Sequence, residues 1–171
     1  MQWKIIPLLV FALLAFFLWR SLKLDPHQLP SAKIGSTLPN FSLPSLASNA
    51  LISSKDLRGH YVLLNIWASW CPACVQEQIF LLKLARQGVI IYGLDYKDTS
   101  KKAQKWLLEW GNPFKEIIFD KHGLLSMDLG VYGAPETFLI DSSGVIQYRH
   151  VGILDASIWR KDFLPRIKEL T

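Results

Sequence analysis

Residues 61–74 read YVLLNIWASWCPAC, an apolar run that leads directly into two cysteines. The run 61–67 is rich in strand-forming residues and predicts a short buried β-strand. Residues 72–87 carry apolar side chains at helical spacing, and Gly88 follows as a C-terminal cap would, which predicts an α-helix. The cysteine pair therefore lies where a strand passes into the first turn of a helix.

This position predicts a reactive cysteine pair. A thiol at a helix N-terminus faces unpaired backbone N–H groups and the positive end of the helix dipole. Both favour the thiolate, so we expect the pKa of Cys71 to fall below about 8.5, the value of a free thiol. Pro72 suits the first turn, since its missing N–H is not needed there. We predict that Cys71 is exposed and attacks, and that the deeper Cys74 resolves the mixed disulfide.

Three other interpretations of the cysteine pair stay open at this point: a static disulfide, half of a zinc site completed by a second chain, and two packing thiols. A disulfide across two residues closes a very short loop and stabilises little. Two cysteines cannot form a four-cysteine zinc site within one chain, and the four histidines show no metal-ligand spacing. A C-x-x-C pair between a strand and a helix favours redox chemistry, with the Cys71–Cys74 pair as the redox centre and no organic or metal cofactor.

The rest of the chain continues the alternation of strand and helix. Further helices are predicted at 99–110, 122–129 and 155–170, and further strands at 89–94, 116–119, 137–140 and 145–150. Asp-Ser-Ser-Gly at 141–144 predicts a hairpin between the last two strands. The pattern predicts an α/β fold, with a mixed central sheet and helices on both faces.

The N-terminus predicts a membrane anchor. Residues 5–19, IIPLLVFALLAFFLW, contain no charged or polar side chain other than the indole of Trp19. The 22 residues 3–24 are long enough for the roughly 30 Å hydrocarbon core. No A-x-A-like site follows, so we expect an uncleaved signal-anchor rather than a cleaved signal peptide or a core helix. The predicted organisation is a transmembrane helix at 1–24, a linker at 25–37 and a folded domain at 38–171.

The charge of the chain argues against nucleic acid as a partner. The 171 residues carry a net charge of +5, and three of the basic side chains lie within the first 24 residues. The remainder holds 16 basic against 14 acidic side chains. Binding to nucleic acid would require a basic patch or stripe.

Several motifs resemble a known family. The segment NIWASWCPAC, followed about 60 residues later by GAPET, resembles the thioredoxin fold. The fuller set resembles the membrane-anchored thiol:disulfide proteins of cytochrome c maturation, the DsbE/CcmG family. The matching motifs are LPNFSLPSL (38–46), KDLRGHYVLLNIWASWCPAC (55–74), YKD (96–98), GNPF (111–114) and DLGVYGAPETFLID (128–141). The resemblance covers residues 38 to about 165, together with the N-terminal anchor.

The resemblance implies roles for the residues around the cysteines. Pro135 matches the cis-proline of the family, whose loop lies against the disulfide and receives a substrate strand by backbone pairing, here with Ala134. Glu136 and Glu77 match acids beside the active site, and either carboxyl could accept or supply the proton of Cys74. The alternative for each acid is a solvated position on the surface.

Substrate contacts and two departures from the family pattern complete the prediction. Trp70, Pro72 and Ala73 are expected to meet the substrate, with Trp70 exposed; plain packing is the alternative for Trp70. Asn65 replaces the buried aspartate of thioredoxins, six residues before the first cysteine, and cannot accept a proton. Asp95 stands before the YKD motif, where the family usually has asparagine.

The resemblance also implies a function. It points to a single-pass protein of the bacterial inner membrane with its catalytic domain in the periplasm. Reduced Cys71 would attack a disulfide in the haem-binding C-x-x-C-H segment of apocytochrome c, or in a thiol-handling chaperone that holds it, and a transmembrane thiol donor would supply the electrons. The alternatives are a general disulfide oxidase or isomerase and a tethered module that only binds apocytochrome. The direction of electron flow between the protein and its substrate depends on the reduction potential of the cysteine pair.

Overall fold

A computed structural model describes residues 6–21, 33–48 and 50–170. By its contacts the chain divides into two units, residues 1–30 and 31–171. In chain order the elements are α1 (Ile6–Ser21), β1 (Ser42–Pro44), β2 (Leu51–Ser53), β3 (Val62–Trp67), α2 (Pro72–Arg86), β4 (Ile91–Tyr96), α3 (Ser100–Trp110), β5 (Glu116–Asp120), α4 (Leu124–Asp128), β6 (Glu136–Ile140), β7 (Ile146–Val151), α5 (Ala156–Ile158), a π-helical turn (Trp159–Phe163) and α6 (Leu164–Leu170).

The first unit contains α1. Within the described ranges, no helix combines the length and the apolar character needed to cross a membrane. The 16 residues of α1 span about 24 Å at about 1.5 Å per residue, which is less than the roughly 30 Å of a hydrocarbon core. The transmembrane helix expected over 3–24 is therefore not seen. Residues 3–5, 22–24 and most of the predicted linker lie outside the described residues, so the predicted boundaries stay predictions.

The second unit is built on a five-stranded sheet in the order β5-β4-β3-β6-β7. The pairs β3–β4 and β4–β5 are parallel, whereas β3–β6 and β6–β7 are antiparallel. The predicted mixed sheet and C-terminal hairpin are confirmed. The central strand β3 is buried along its whole length and carries the active-site segment at its carboxyl end.

The helices cover both faces of this sheet, as predicted. Leu81 of α2, Trp106 of α3 and Phe163 of the C-terminal helix belong to one core cluster. Leu125 of α4 and Ile52 of β2 belong to the cluster on the other face. Because successive side chains of a strand point to opposite faces, the alternation along each strand decides which functional groups can meet.

Two features differ from the sequence prediction. The β1–β2 hairpin was not predicted, because its strands have only three residues each and are largely exposed. The C-terminal helix starts as expected at Asp155, whose carboxylate accepts the N–H groups of Ser157 and Ile158. It then widens into the π-helical turn, in which the Leu164 N–H donates to the Trp159 carbonyl, immediately before Pro165, which has no N–H to donate.

Candidate active site

The two cysteines form a disulfide at the start of α2, with their Cα atoms 5.4 Å apart. Cys71 is the N-cap residue of the helix and has an extended backbone, and Pro72 begins the first turn. The backbone N–H of Cys74 donates to the Cys71 sulfur over 3.1 Å. The predicted position at the helix N-terminus is confirmed, and the same N–H is placed to stabilise a Cys71 thiolate after reduction.

The expected exposure of Cys71 is wrong. Cys71 is 3% exposed and Cys74 is 1% exposed, so both sulfur-bearing residues are buried. The reason is that the pair belongs to the apolar core between the sheet and the helices, against which Ala134 also packs. The neighbouring residues on either side of Cys71, Trp70 and Pro72, are exposed.

Trp70 is exposed, as predicted, and is held in place. Its side chain is half-exposed, at 51%. Its indole Nε1 donates to the Lys97 carbonyl over 3.1 Å, and its ring centroid lies 6.2 Å from that of Tyr96. The hydrogen bond ties the segment before Cys71 to the loop after β4. Ala73, two residues after Cys71, is half-buried.

Glu77 lies on the cysteine side of the sheet and is buried, at 1% exposure, so it is not a solvated surface acid. One carboxylate oxygen accepts the side-chain N–H of Asn65 over 2.8 Å, and the other accepts the Leu154 backbone N–H over 2.9 Å. Burial raises the pKa of Glu77 to about 7, although both hydrogen bonds oppose this shift. Glu77 follows Cys74 by three residues on α2, so the two side chains lie on the same face of the helix.

Asn65 is a buried polar residue in the middle of β3, and hydrogen bonds of its side chain accommodate it there. Its amide donates both to Glu77 and, over 3.0 Å, to the hydroxyl of Thr137. Thr137 is the residue opposite Asn65 in the β3–β6 register. Asn65 thus joins the active-site helix to the strand that follows the predicted cis-proline, and it acts as a donor rather than as an acid.

Glu136 is also buried, at 1% exposure, but its environment is different. One oxygen accepts from Arg149 Nε over 2.8 Å, and the other accepts the Tyr132 backbone N–H over 3.2 Å. Burial raises the pKa of Glu136, and the Arg149 guanidinium opposes that shift. Glu136 and Phe138 are two residues apart on β6, so their side chains point to the same face of the sheet. Phe138 packs in the core cluster on the face away from Cys74. The two predicted acids therefore lie on opposite faces of the sheet.

Arg149 was not predicted to belong to the site. Only 5% of its side chain is exposed, and its guanidinium makes a 2.7 Å salt bridge with Glu136. It also donates to the Gly130 carbonyl over 2.9 Å and lies 4.6 Å from the centroid of the Tyr132 ring. Arg149 thereby holds the loop from Gly130 to Glu136 in place. The only signal for it in the sequence is an arginine in the second strand of a predicted hairpin whose first strand directly follows an acid, Glu136.

The Ala134–Pro135 peptide bond is cis, as predicted. Pro135 is buried, and its carbonyl accepts the Gly152 N–H over 2.9 Å. Ala134 is half-buried and packs against the cluster that includes both cysteines. The loop is therefore hydrogen-bonded to Gly152, directly after β7, and packed against the core cluster that contains both cysteines.

A metal centre is not indicated in the part of the chain that the structure describes. No group of three or more histidine, cysteine, aspartate or glutamate side chains there could hold a metal ion.

A cysteine pair at a helix N-terminus, packed with a cis-proline loop on a mixed sheet, defines a thiol–disulfide oxidoreductase of the thioredoxin fold. Residues 33–162 match the Redoxin family. A thiol:disulfide interchange protein DsbE of Pseudomonas aeruginosa is 47% identical over 167 residues, covering 97% of this chain and 93% of that protein. The chain belongs to the DsbE family of thiol:disulfide interchange proteins, and Cys71–Cys74 is its redox-active disulfide.

Other relatives agree with this assignment. A thiol:disulfide interchange protein DsbE of Escherichia coli K12 is 45% identical over 168 residues, covering 94% of this chain and 91% of that protein. Among solved structures, a protein of Chlorobium tepidum assigned as a thiol:disulfide interchange protein DsbE superposes with a TM-score of 0.66 at 28% identity. That superposition covers 80% of this chain and 95% of the other.

Proposed function

We propose that the protein is a membrane-tethered reductase that faces the bacterial periplasm and reduces disulfides in the haem-binding C-x-x-C-H segments of apocytochrome c, or in a chaperone that holds them. The observation that carries the proposal is that Ala134, directly before Pro135, packs against the core cluster that contains Cys71 and Cys74. It is supported by motifs that resemble the cytochrome c maturation branch of the family. Electrons would come from a transmembrane thiol donor, and no other cofactor is required.

The proposed reaction transfers two electrons from the cysteines to the substrate. The Cys71 thiolate attacks one sulfur of the substrate disulfide, that S–S bond breaks, and one substrate thiolate leaves. Cys74, after giving up its proton, attacks the Cys71 sulfur and releases the second substrate thiolate. The substrate gains two thiols, and the enzyme is left with the Cys71–Cys74 disulfide. We assign the proton of Cys74 to Glu77 rather than to Glu136, because Glu77 lies on the same helix and the same face of the sheet.

The loop at Pro135 offers a place for an extended substrate. The Pro135 carbonyl is engaged by Gly152, so the backbone of Ala134 is the better candidate for pairing with a substrate strand. Trp70 and Pro72 are exposed and would contact side chains of the substrate next to its disulfide, with Ala73 behind them. In this assignment Glu136 holds the loop and does not transfer a proton.

Membrane tethering is proposed for the N-terminal segment. The apolar side chains of α1 are exposed, Phe11 by 73% and Leu8 by 70%. A continuous exposed apolar surface of this kind favours a membrane or another apolar partner. We propose that the segment 3–24 as a whole is a single-pass anchor in the inner membrane. Retention of the full chain in membranes after alkaline carbonate extraction would support this, and release into the soluble fraction would contradict it.

The reduction potential tests the direction of electron flow. The full-length protein in detergent would be equilibrated with glutathione at pH 7 and its oxidised fraction measured. A reductant is expected to give a value of roughly −200 to −270 mV, as in thioredoxin and the glutaredoxins. A value near about −120 mV would instead identify a general oxidase.

A trapping experiment separates the reductase from a module that only binds apocytochrome. In the Cys74→Ser variant, reduced Cys71 can attack but the mixed disulfide cannot be resolved. We expect this variant to accumulate a covalent complex with an oxidised apocytochrome peptide that contains C-x-x-C-H, which is detected by non-reducing electrophoresis. The Cys71→Ser variant is the matched control and should give no complex. Binding without covalent capture in the Cys74→Ser variant would favour the holding module.

Trp70 provides a test of substrate contact. We expect Trp70→Ala to weaken binding of the same peptide by about tenfold or more, since exposed tryptophans at interfaces often contribute over 1 kcal/mol. Trp110→Ala is the control, because Trp110 is comparably exposed, at 42%, and lies on α3. Binding would be measured by isothermal titration calorimetry with Cys71→Ser in both backgrounds. Equal affinity of the two variants would leave Trp70 as a packing residue only.

A further inference from the structure

Asp95 is a buried acid that thiol–disulfide exchange, as described so far, does not use. It lies at the carboxyl end of β4, with 0% exposure, directly opposite Trp67 in the β3–β4 register. Neither of its carboxylate oxygens has a hydrogen-bond donor among the described residues. An ionised carboxylate in such a position is unfavourable, because it is removed from bulk solvent and no protein donor compensates its charge.

Asp98, three residues later, differs from Asp95 because its carboxylate has hydrogen-bond donors. Its carboxylate accepts two backbone N–H groups, from Ser69 and from Thr99, each over 2.6 Å. Ser69 lies two residues before Cys71, so Asp98 ties the active-site segment to the loop that follows β4. These two backbone donors fix the position of the Asp98 carboxylate.

The other charged groups around Asp95 also favour its neutral form. Asp120, at the end of β5, accepts both the N–H and the hydroxyl of Ser126, each over 2.8 Å. Burial first, and then the carboxylates of Asp98 and Asp120, together raise the pKa of Asp95 to about 8. The nearest basic residue in sequence, Lys97, has its ammonium group over the Tyr96 ring, at 4.9 Å.

We propose that protonated Asp95 donates a hydrogen bond to the Asp98 carboxylate, and that this proton-sharing pair positions the segment carrying Cys71 and couples Asp95 to the redox state of the cysteines. The pair is a positioning element rather than a catalytic one, since Asp98 is linked to the cysteine segment through the backbone N–H of Ser69. The inference concerns exchange at Cys71–Cys74 itself and does not depend on the identity of the substrate.

The coupling has a definite sign. Reduction creates a thiolate on Cys71, a negative charge at the end of the segment that Asp98 holds. A second negative charge on Asp95 is then less favourable, so Asp95 should keep its proton to higher pH in the reduced protein than in the oxidised one. By linkage, the proton on Asp95 favours the Cys71 thiolate by the same factor.

Infrared difference spectroscopy of the full-length protein tests this inference. The carbonyl band of a protonated carboxylic acid would be followed from pH 5 to 10 in the oxidised and the reduced protein. It would be assigned to Asp95 by its loss in Asp95→Asn. Asp128→Asn is the control, because Asp128 is an exposed acid on α4. We expect an Asp95 band at pH 7 whose midpoint moves to higher pH on reduction.

Two outcomes would overturn the proposal. One is the absence of an Asp95 band at pH 7, which would mean that no proton is shared. The other is an identical midpoint in both redox states, which would mean that Asp95 is only a structural residue. A second measurement keeps the test independent of folding defects: the slope of the reduction potential against pH between 7 and 9 should differ between the wild type and Asp95→Asn, and equal slopes would contradict the coupling.

Discussion

Replacing Arg149 by methionine is expected to lower the free energy of unfolding by about 3–5 kcal/mol, the range typical of removing one partner of a buried ion pair. Methionine keeps much of the volume but leaves the Glu136 carboxylate buried without its guanidinium. It also removes the hydrogen bond to Gly130 and the contact with the Tyr132 ring. The loss would be measured by urea denaturation of the oxidised protein.

The loss caused by Arg149→Met should grow with pH. Without Arg149, the pKa of Glu136 rises further above its value in the unfolded chain. The folded state then binds a proton that the unfolded state has lost, so stability falls as pH rises from about 4.5 towards the folded-state pKa. At pH 4 both states are protonated and the difference from wild type should be smallest. A loss that is independent of pH would contradict the assigned role of the pair.

Two further variants separate charge from packing in this region. Arg160→Met removes an exposed arginine and should change stability little, within about 0.5 kcal/mol. The double variant Arg149→Met/Glu136→Gln removes both charges and should recover part of the loss. If Arg149 acts mainly by holding the cis-proline loop, the double variant will regain stability but will still bind extended peptides weakly.

Replacing Glu77 by glutamine is expected to slow the release of the mixed disulfide by about 10²-fold, at the lower end of typical general acid–base contributions. Glutamine keeps a carbonyl for the Leu154 N–H but cannot accept the proton of Cys74. Slower release should increase the amount of mixed disulfide present during turnover. Acid quenching of the reaction with a peptide disulfide, followed by mass spectrometry, would measure that amount.

The pH profile gives Glu77 a second, independent test. In wild type the pKa of Glu77 is raised from 4.5 to about 7, so this group destabilises the folded protein progressively as pH rises through that interval. In Glu77→Gln, the free energy of unfolding of the oxidised protein should no longer fall with pH in this interval. The plot of the release rate against pH should also lose its inflection near pH 7. Glu109→Gln, an exposed acid on α3, is the control. Unchanged release kinetics in Glu77→Gln would exclude Glu77 as the proton acceptor.

The local pattern of residues was sufficient to predict most of the fold. The strand at 61–67, the helix that begins at Pro72 and the hairpin around 141–144 follow from hydrophobic periodicity and turn residues, and all three are present. The placement of Cys71 at a helix N-terminus follows from the same information, because it depends only on neighbours within one turn. The β1–β2 hairpin has no comparable signal, since its strands are too short to show a period.

The roles of the acids could not be predicted in this way. Glu77 and Glu136 looked equivalent as candidates beside the cysteines. Glu77, on α2, is hydrogen-bonded to Asn65 and Leu154, whereas Glu136 pairs with Arg149 on the opposite face of the sheet. Their partners are distant in the chain: Leu154 lies 77 residues after Glu77. No local pattern reports such contacts.

Periodicity and turn chemistry in the chain thus specify the elements and place the cysteines at a strand–helix junction, because these are short-range effects. The burial of Cys71, the separation of the two glutamates and the burial of Asp95 opposite Trp67 depend on strand register and on which face each side chain occupies. Those properties arise only when strands far apart in sequence come together, since burial and pKa are set by the groups that surround a side chain in space.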